Sequence, residues 1–200
     1  TIQLGQKTDT LDSEGNIIEE KSVDKSTWDK ARIQQTLETL EGKQVQTPPM
    51  YSAIKVNGKK LYEYARKGVE VEVPKREIEI YDIELLNINE KEETIEFKVH
   101  CSKGTYIRTL CEIIAEKLGT IGYMKELNRI QVGQFELSQA ITIEDIEKNK
   151  DNVEFWNEHV ITTQKFFENY PVTELQERKL NLFLNGVQLT NNKPDGLYQI

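Results

Sequence analysis

Two hundred residues, 37% hydrophobic and 30% charged, suffice for one domain with a real core, or one domain with a small appendage, and exclude a disordered chain. No apolar stretch approaches the length of a membrane span, and the net charge of −8 sets an acidic body. Two cysteines, Cys101 and Cys111, and two histidines, His100 and His159, at spacings that form neither a disulfide framework nor a zinc knuckle, argue against a metal hydrolase or a histidine-based triad and point to a reducing cytoplasm.

In chain order, Thr1-Ile2-Gln3-Leu4 reads as the end of a strand, and a chain that opens so, without methionine or leader, is expected to be a piece of a longer protein. Gly5 to Gly15 is a polar, turn-rich loop in which Asp9 and Asp12 read as turn residues bonding nearby amides, and Asn16 to Glu19 resumes an extended run. Ser26 is placed to cap a helix with Trp28, Ile33, Leu37 and Leu40 on its apolar face and Gly42 at its end. Pro48-Pro49 leads into an extended Met50 to Val56, Asn57-Gly58 supplies a tight turn, and Leu61 to Lys67 is a short helix stopped by Gly68. Val69 to Val73, then Ile78, Ile80 and Ile83, carry a strand-like rhythm, and Ile95, Phe97, Val99 and Cys101 alternate strictly. Thr109 to Leu118 is helical with Gly119 as its stop, Leu127 to Val132 begins a strand, and Ile143 to Ile146 starts an acidic helix. After the polar stretch 149–152 the tail changes: a helical Glu174 to Leu184 stands among strand-like pieces. Strands and helices mix with hairpin turns rather than strict βαβ units, which gives an α+β fold with a mixed, largely antiparallel sheet and flanking helices. The expected division is 1–160 and a β-rich module over 168–200.

The most informative segment is Cys101-Ser102-Lys103-Gly104-Thr105-Tyr106-Ile107-Arg108-Thr109. In an extended chain, Tyr106 and Arg108 share a face, setting a stacking surface beside a fork-shaped cation suited to a nucleobase and an anion. Charge is segregated. From Lys55 to Arg76 there are seven basic residues and three glutamates, and from Glu77 to Glu96 eight acids and one lysine, so a local basic face on an acidic body is possible. Lys55, Lys59, Lys60 and Arg66, interleaved with Tyr51, Tyr62 and Tyr64, form the candidate surface for nucleic-acid phosphates, with Tyr64 assigned to packing.

Together, Leu4-Gly5-Gln6-Lys7-Thr8-Asp9-Thr10, Pro49-Met50-Tyr51-Ser52-Ala53-Ile54-Lys55, Gly58 to Arg66, Cys101 to Thr109 and Leu127-Asn128-Arg129 resemble the bacterial tRNA pseudouridine synthase B (TruB) family nearly end to end. The resemblance implies a pseudouridine synthase-like fold followed by the start of a PUA-like RNA-binding domain. It implies an isomerase that converts the uridine at position 55, in the T-arm loop of tRNA, with no cofactor and no metal, in a protein expected to be monomeric and cytoplasmic. Arg108 and Tyr106 become the catalytic candidates, Arg108 paired with a nucleophilic aspartate and Tyr106 against the flipped base. Tyr51, Lys55, Lys59, Lys60, Arg66 and Leu127 become candidates for substrate binding, Leu127 as an apolar wall. The family's nucleophile lies in a Gly-rich loop expected before Thr1, so residues 1–200 alone are expected to be inactive, and a non-catalytic RNA-binding or RNA-folding module is the alternative. Two departures stand out. The family carries Asp and Gly in the helix where this chain has Ile113 and Ala115, and Ala-His-Met where it has Gly122-Tyr123-Met124. Ile113 completes an apolar helix face.

Overall fold

A computed structural model describes residues 1–190 and 192–199, which fall into two compact units, 1–129 and 130–200. The first unit is built on a five-stranded antiparallel sheet. In chain order its elements are β1 (Ile2–Leu4), β2 (Gln6–Thr8), β3 (Ile17–Glu20), α1 (Lys30–Glu38), β4 (Gly42–Gln46), β5 (Lys55–Val56), β6 (Lys59–Lys60), α2 (Leu61–Ala65), β7 (Arg76–Asn89), β8 (Thr94–Cys101), α3 (Ile107–Lys117) and β9 (Gly122–Met124). The sheet runs β4-β7-β8-β1-β9, while β2–β3 and β5–β6 are separate hairpins.

The core is aliphatic. Ile2 and Leu4 of β1, Ile80 and Ile83 of β7 and Ile95 of β8 cluster with Ile33 and Leu37 of α1 and with Leu110, Cys111, Ile114 and Leu118 along α3. Each of these side chains is at most 3% exposed, which at about 25 cal/mol per Å² of apolar surface makes the cluster the main source of stability. The long pairing of β7 with β8 slips once between Ile80 and Asp82 and again between Leu85 and Asn87. Each bulge adds a residue on β7 and resets the alternation, so Ile78 and Ile80, then Ile83 and Leu85, then Ile88 all turn to the core side.

Several boundaries differ from the sequence expectation. Ser26 does not cap α1. Asp24 caps a 3-10 turn over Lys25–Trp28 by accepting from Ser26 N, and Asp29 caps α1 by accepting from Arg32 N at 2.7 Å. An aspartate one residue ahead of the periodic run is the better cap, because its carboxylate also meets the positive end of the helix. Gly42 belongs to β4 with φ 94° rather than to a helix stop. Met50 to Ile54 and Val69 to Val73 form no strand, and of Leu127 to Val132 only Gln131–Val132 is extended in a ladder.

Among its described residues the second unit holds a small hairpin, β10 (Gln131–Val132) with β11 (Phe135–Glu136), and the α-helices α4 (Ile143–Lys148), α5 (Val153–His159), α6 (Thr163–Phe166) and α7 (Glu177–Leu184). Side-chain caps from Thr142, Asn152 and Thr162 start α4, α5 and α6. Its aromatic contacts include stacked Phe135 and Phe166, 5.7 Å apart, the run Phe166-Phe167-Tyr170, and Phe155 against Trp156 and His159. No described residue of this unit is fully buried. Among the described residues of 168–199 the regular structure is α7 and one bridge, Val172 to Gln199, so the β-rich character expected there is confined to that bridge. Asn191 and Ile200, inside the expected 168–200 module, lie outside the described residues.

Candidate active site

Arg108 is the hub. Nη1 donates to the carbonyl of Thr10 at 3.0 Å and to Oδ2 of Asp12 at 2.9 Å, and Nη2 donates to the carbonyl of Tyr51 at 2.8 Å. Its side chain is 21% exposed and that of Asp12 19%, so the pair is partly desolvated and held by fixed backbone partners. Charge-assisted bonds of this kind are roughly twice as strong as neutral ones. Arg108 is the second residue of α3, and Tyr106 is its N-cap at φ −93° and ψ 108°. The extended register expected for the two therefore holds at Tyr106 only. The strand ends at Cys101, a turn at Gly104 with φ 86° follows, and the helix has begun before Arg108. The two residues are joined by a helix start, so strand alternation does not put them on one face as the sequence expectation had it. Both are half-buried.

The loop between β2 and β3 presents Asp12. Asp9 Oδ1 accepts from Asn16 N at 2.9 Å, Thr8 Oγ1 donates to Asp12 O at 2.7 Å, and Asp12 Oδ1 accepts from Thr10 Oγ1 at 2.5 Å and Glu14 N at 3.2 Å. Asp9 and Asp12 both do the turn work read from the sequence. Asp12 does something more, because its second oxygen reaches across to Arg108, a pairing the sequence analysis missed. Ninety-six positions separate the two residues, and no local spacing could have signalled it. Leu11 sits at φ 61°, which aims the loop at β9, where Met124 N donates to Leu11 O. The tight turn leaves no space at Gly15: an added Cβ would run into Thr10 Oγ1 and stand 2.5 Å from Asp9 Oδ1.

Tyr51 joins the cluster through its backbone. Lys55 and Lys59–Lys60 form the short β5–β6 hairpin, whose turn residues Asn57 (φ 51°) and Gly58 (φ 80°) take the left-handed conformations that a type I′ turn demands. Tyr62 lies between two cations, with Lys60 Nζ 5.4 Å and Arg66 Cζ 5.3 Å from its ring centroid. Tyr64 OH donates to Val56 O at 3.1 Å, tying α2 to the hairpin. Leu127 follows β9 outside any regular element and is 54% exposed, so it is not a core residue. Among the described residues, no group of three or more His, Cys, Asp or Glu is placed to hold a metal ion, and no helix is long and apolar enough to cross a membrane.

Comparison with known proteins supplies the class. The profile of the TruB family pseudouridylate synthase N-terminal domain matches residues 1–107, and that of the tRNA pseudouridylate synthase B C-terminal domain matches residues 108–177. The chain belongs to the TruB family of pseudouridylate synthases. Similar curated proteins include the tRNA pseudouridine synthase B of Clostridium tetani, 41% identical over 192 residues, which cover 96% of this chain and 63% of the relative. That of Bacillus subtilis is 43% identical over 191 residues, covering 94% and 61%. The chain thus spans less than two-thirds of the length of these relatives. A crystal structure of a Cbf5–Nop10–Gar1 complex matches with a TM-score of 0.60 at 23% identity, covering 94% of this chain and 48% of the other, which shows a shared fold.

Proposed function

We propose that the protein isomerises uridine to pseudouridine in the T-arm loop of tRNA, with the nucleophilic aspartate contributed by a Gly-rich segment outside residues 1–200. The observation that carries this reading is the way Arg108 is held. A guanidinium has five N–H donors. Three bonds from Nη1 and Nη2 go to Thr10, Asp12 and Tyr51, which leaves Nε–H and one hydrogen of Nη2 outside these three bonds. A guanidinium held in this way by fixed partners can still offer Nε–H and an Nη2 hydrogen to a carboxylate as a bidentate clamp. A carboxylate docked there stays ionised and aimed, as a nucleophile must be.

In this reading Tyr106 contacts the everted base. Eversion costs a few kcal/mol and one aromatic stack returns about 1–3 kcal/mol, so the terms are comparable and backbone contacts complete the balance. Lys55, Lys59, Lys60 and Arg66 touch phosphates and set register without reading sequence. Leu127, exposed on the free surface, forms an apolar wall against the bound base. The chemistry breaks the N1–C1′ bond, turns the uracil and forms a C5–C1′ bond, C5 losing its proton and N1 gaining one, so that the composition is unchanged.

The test is a chimera in which this chain replaces the matching 191 residues of the Bacillus subtilis relative, assayed beside the chain alone on an unmodified tRNA transcript. Pseudouridine confined to the T-arm loop with the chimera, and none with the chain alone, is the expected result. Modification at another site overturns the substrate assignment. Product from residues 1–200 alone overturns the assignment of the nucleophile.

A further inference from the structure

Gln46 ends β4 and is 2% exposed, a polar side chain turned inward from an edge strand. Its amide meets the peptide of Tyr106 twice. Tyr106 N–H donates to Oε1 at 2.8 Å, and Nε2 donates to Tyr106 O at 3.0 Å. Only one setting of the amide satisfies both bonds, so its orientation is fixed by its partners.

The clamp falls at a helix start that lacks its usual support. Tyr106 makes no side-chain cap bond. In a capping box, the side chain three residues into the helix accepts from the N-cap N–H. Here that residue is Thr109, whose Oγ1 is buried without a partner among the described residues, and the acceptor comes from β4 instead. The Tyr106 carbonyl also accepts the first helical bond, from Leu110 N at 3.0 Å. Five residues beyond Gln46, the carbonyl of Tyr51 receives Arg108 Nη2. The segment 46–51 thus touches the start of α3 at both of its ends, and Pro48-Pro49 between them restricts its backbone.

We propose that Gln46 is a positioning residue for the isomerisation: by clamping the Tyr106 peptide it fixes the start of α3, and with it the Tyr106 ring and the Arg108 guanidinium. This rests on the functional reading above. Gln46 touches neither the base nor the nucleophile, and it acts through where it holds the two residues that do.

An isosteric substitution separates clamping from packing. In Gln46→Glu the neutral acid has a carbonyl acceptor and an O–H donor where the amide has its own acceptor and donor. The ionised form has two acceptors and sets one of them against the Tyr106 carbonyl. Burial favours the neutral acid and brings its titration towards the physiological range. The nearest charged groups across the strand pair, Arg76 opposite Gln46 and Glu77 beside it, are both exposed.

In the chimera, single-turnover rates at saturating tRNA are measured from pH 5.5 to 8.5 for Gln46→Glu, Gln46→Met and the unsubstituted protein, each well below its melting temperature. The ratio of Gln46→Glu to the unsubstituted protein should be down about 10–100-fold at the alkaline end and recover most of that on acidification. Gln46→Met should be low and flat, with tRNA affinity within about twofold in both variants. A flat ratio for Gln46→Glu, or full turnover by Gln46→Met, overturns the proposal. In the 200-residue chain itself, hydrogen-exchange protection of amides 106–110 should fall in both variants and return on acidification only for Gln46→Glu. Unchanged protection in both sinks the clamp. An unsubstituted chimera that forms no pseudouridine sinks the functional reading, and the positioning role falls with it.

Discussion

The Cβ of Ala115, on α3, occupies the space that a side chain on Gly122, in β9, would need: a Cβ added to Gly122 would lie 2.8 Å from it and 2.8 Å from the carbonyl oxygen of Gln3. These are two of the positions at which the resemblance to the TruB family implies another residue, glycine on the helix and alanine on the strand. The departures are one change, a methyl moved from strand to helix across a single contact. The contact holds β9 against α3 and so sets the platform on which Leu11 and Asp12 dock, because Met124 is bridged to Asp12.

Gly122→Ala alone should therefore destabilise by about 1–3 kcal/mol through overpacking. Ala115→Gly alone should cost about 1 kcal/mol from helix propensity, with a further loss for the missing methyl. The double exchange should recover part of the sum, with a coupling of about 1 kcal/mol or more read from urea unfolding of all four proteins. Additive losses would show that the two positions do not share the space. The carbonyl of Gln3 remains in place in the double variant, so recovery should be partial.

Asp12→Asn removes the charge that meets Arg108 while keeping the oxygen that accepts from Thr10. Single-turnover isomerisation in the chimera should fall about 10–100-fold with little change in tRNA affinity, because the guanidinium is mis-aimed rather than lost. Asp9→Asn, whose oxygens serve only Asn16 among the described residues, should change turnover far less. Arg108→Lys should be worse than Asp12→Asn, since an ammonium cannot contact Asp12 and Tyr51 while presenting a second edge. Equal losses in affinity and turnover for Arg108→Lys would remove its catalytic assignment.

What the sequence made legible was periodic. Ile95, Phe97, Val99 and Cys101 announced β8, and the run Thr109 to Leu118 closed by Gly119 announced α3. The spacing of Ile78, Ile80, Ile83, Leu85 and Ile88, in steps of two and three, carried both bulges of β7, although only strand rhythm was read from it. The site was legible as residue types and not as geometry. Arg108 and Tyr106 stand out by residue type, but the start of α3 carries no Ser, Thr, Asp or Asn at its cap, so nothing in the sequence marks the helix as beginning at Ile107 rather than two residues later. Gln46 and Asp12 were invisible as partners because their contacts cross 60 and 96 positions and are made by side chains ordinary in edge strands and turns.

The basic hairpin predicts a salt-dependent, sequence-tolerant component of RNA binding. If Lys59 and Lys60 each neutralise a phosphate, replacing both with alanine should lower the slope of log K against log salt by about 1–2 and weaken binding alike for tRNA and for unrelated structured RNA. Tyr62→Ala should loosen Lys60 and Arg66 together and produce a smaller loss of the same kind. An unchanged slope in the double variant would move the phosphate contacts elsewhere on the chain.

Cys111 gives the protein an alkaline weakness. Burial pushes its thiol from 9.0 up to about 12 in the folded state. Between those values the unfolded chain releases the proton and the folded one keeps it, so the folded state binds more protons and stability falls as pH rises. Below pH 9 both states hold the proton and the contribution is flat. Lys7 adds to the trend at higher pH: its hydrogen bond and ion pair with Glu112, at 2.6 Å, raise its pKa, and the associated stability is lost as pH climbs through the raised value. Urea midpoints should thus decline from pH 9 to pH 11. Cys111→Ala should start lower at neutral pH, by about 1–2 kcal/mol for the smaller side chain, and decline less steeply over the same range. Parallel declines in the two proteins would show that the thiol ionises without unfolding and that another group sets the alkaline limit.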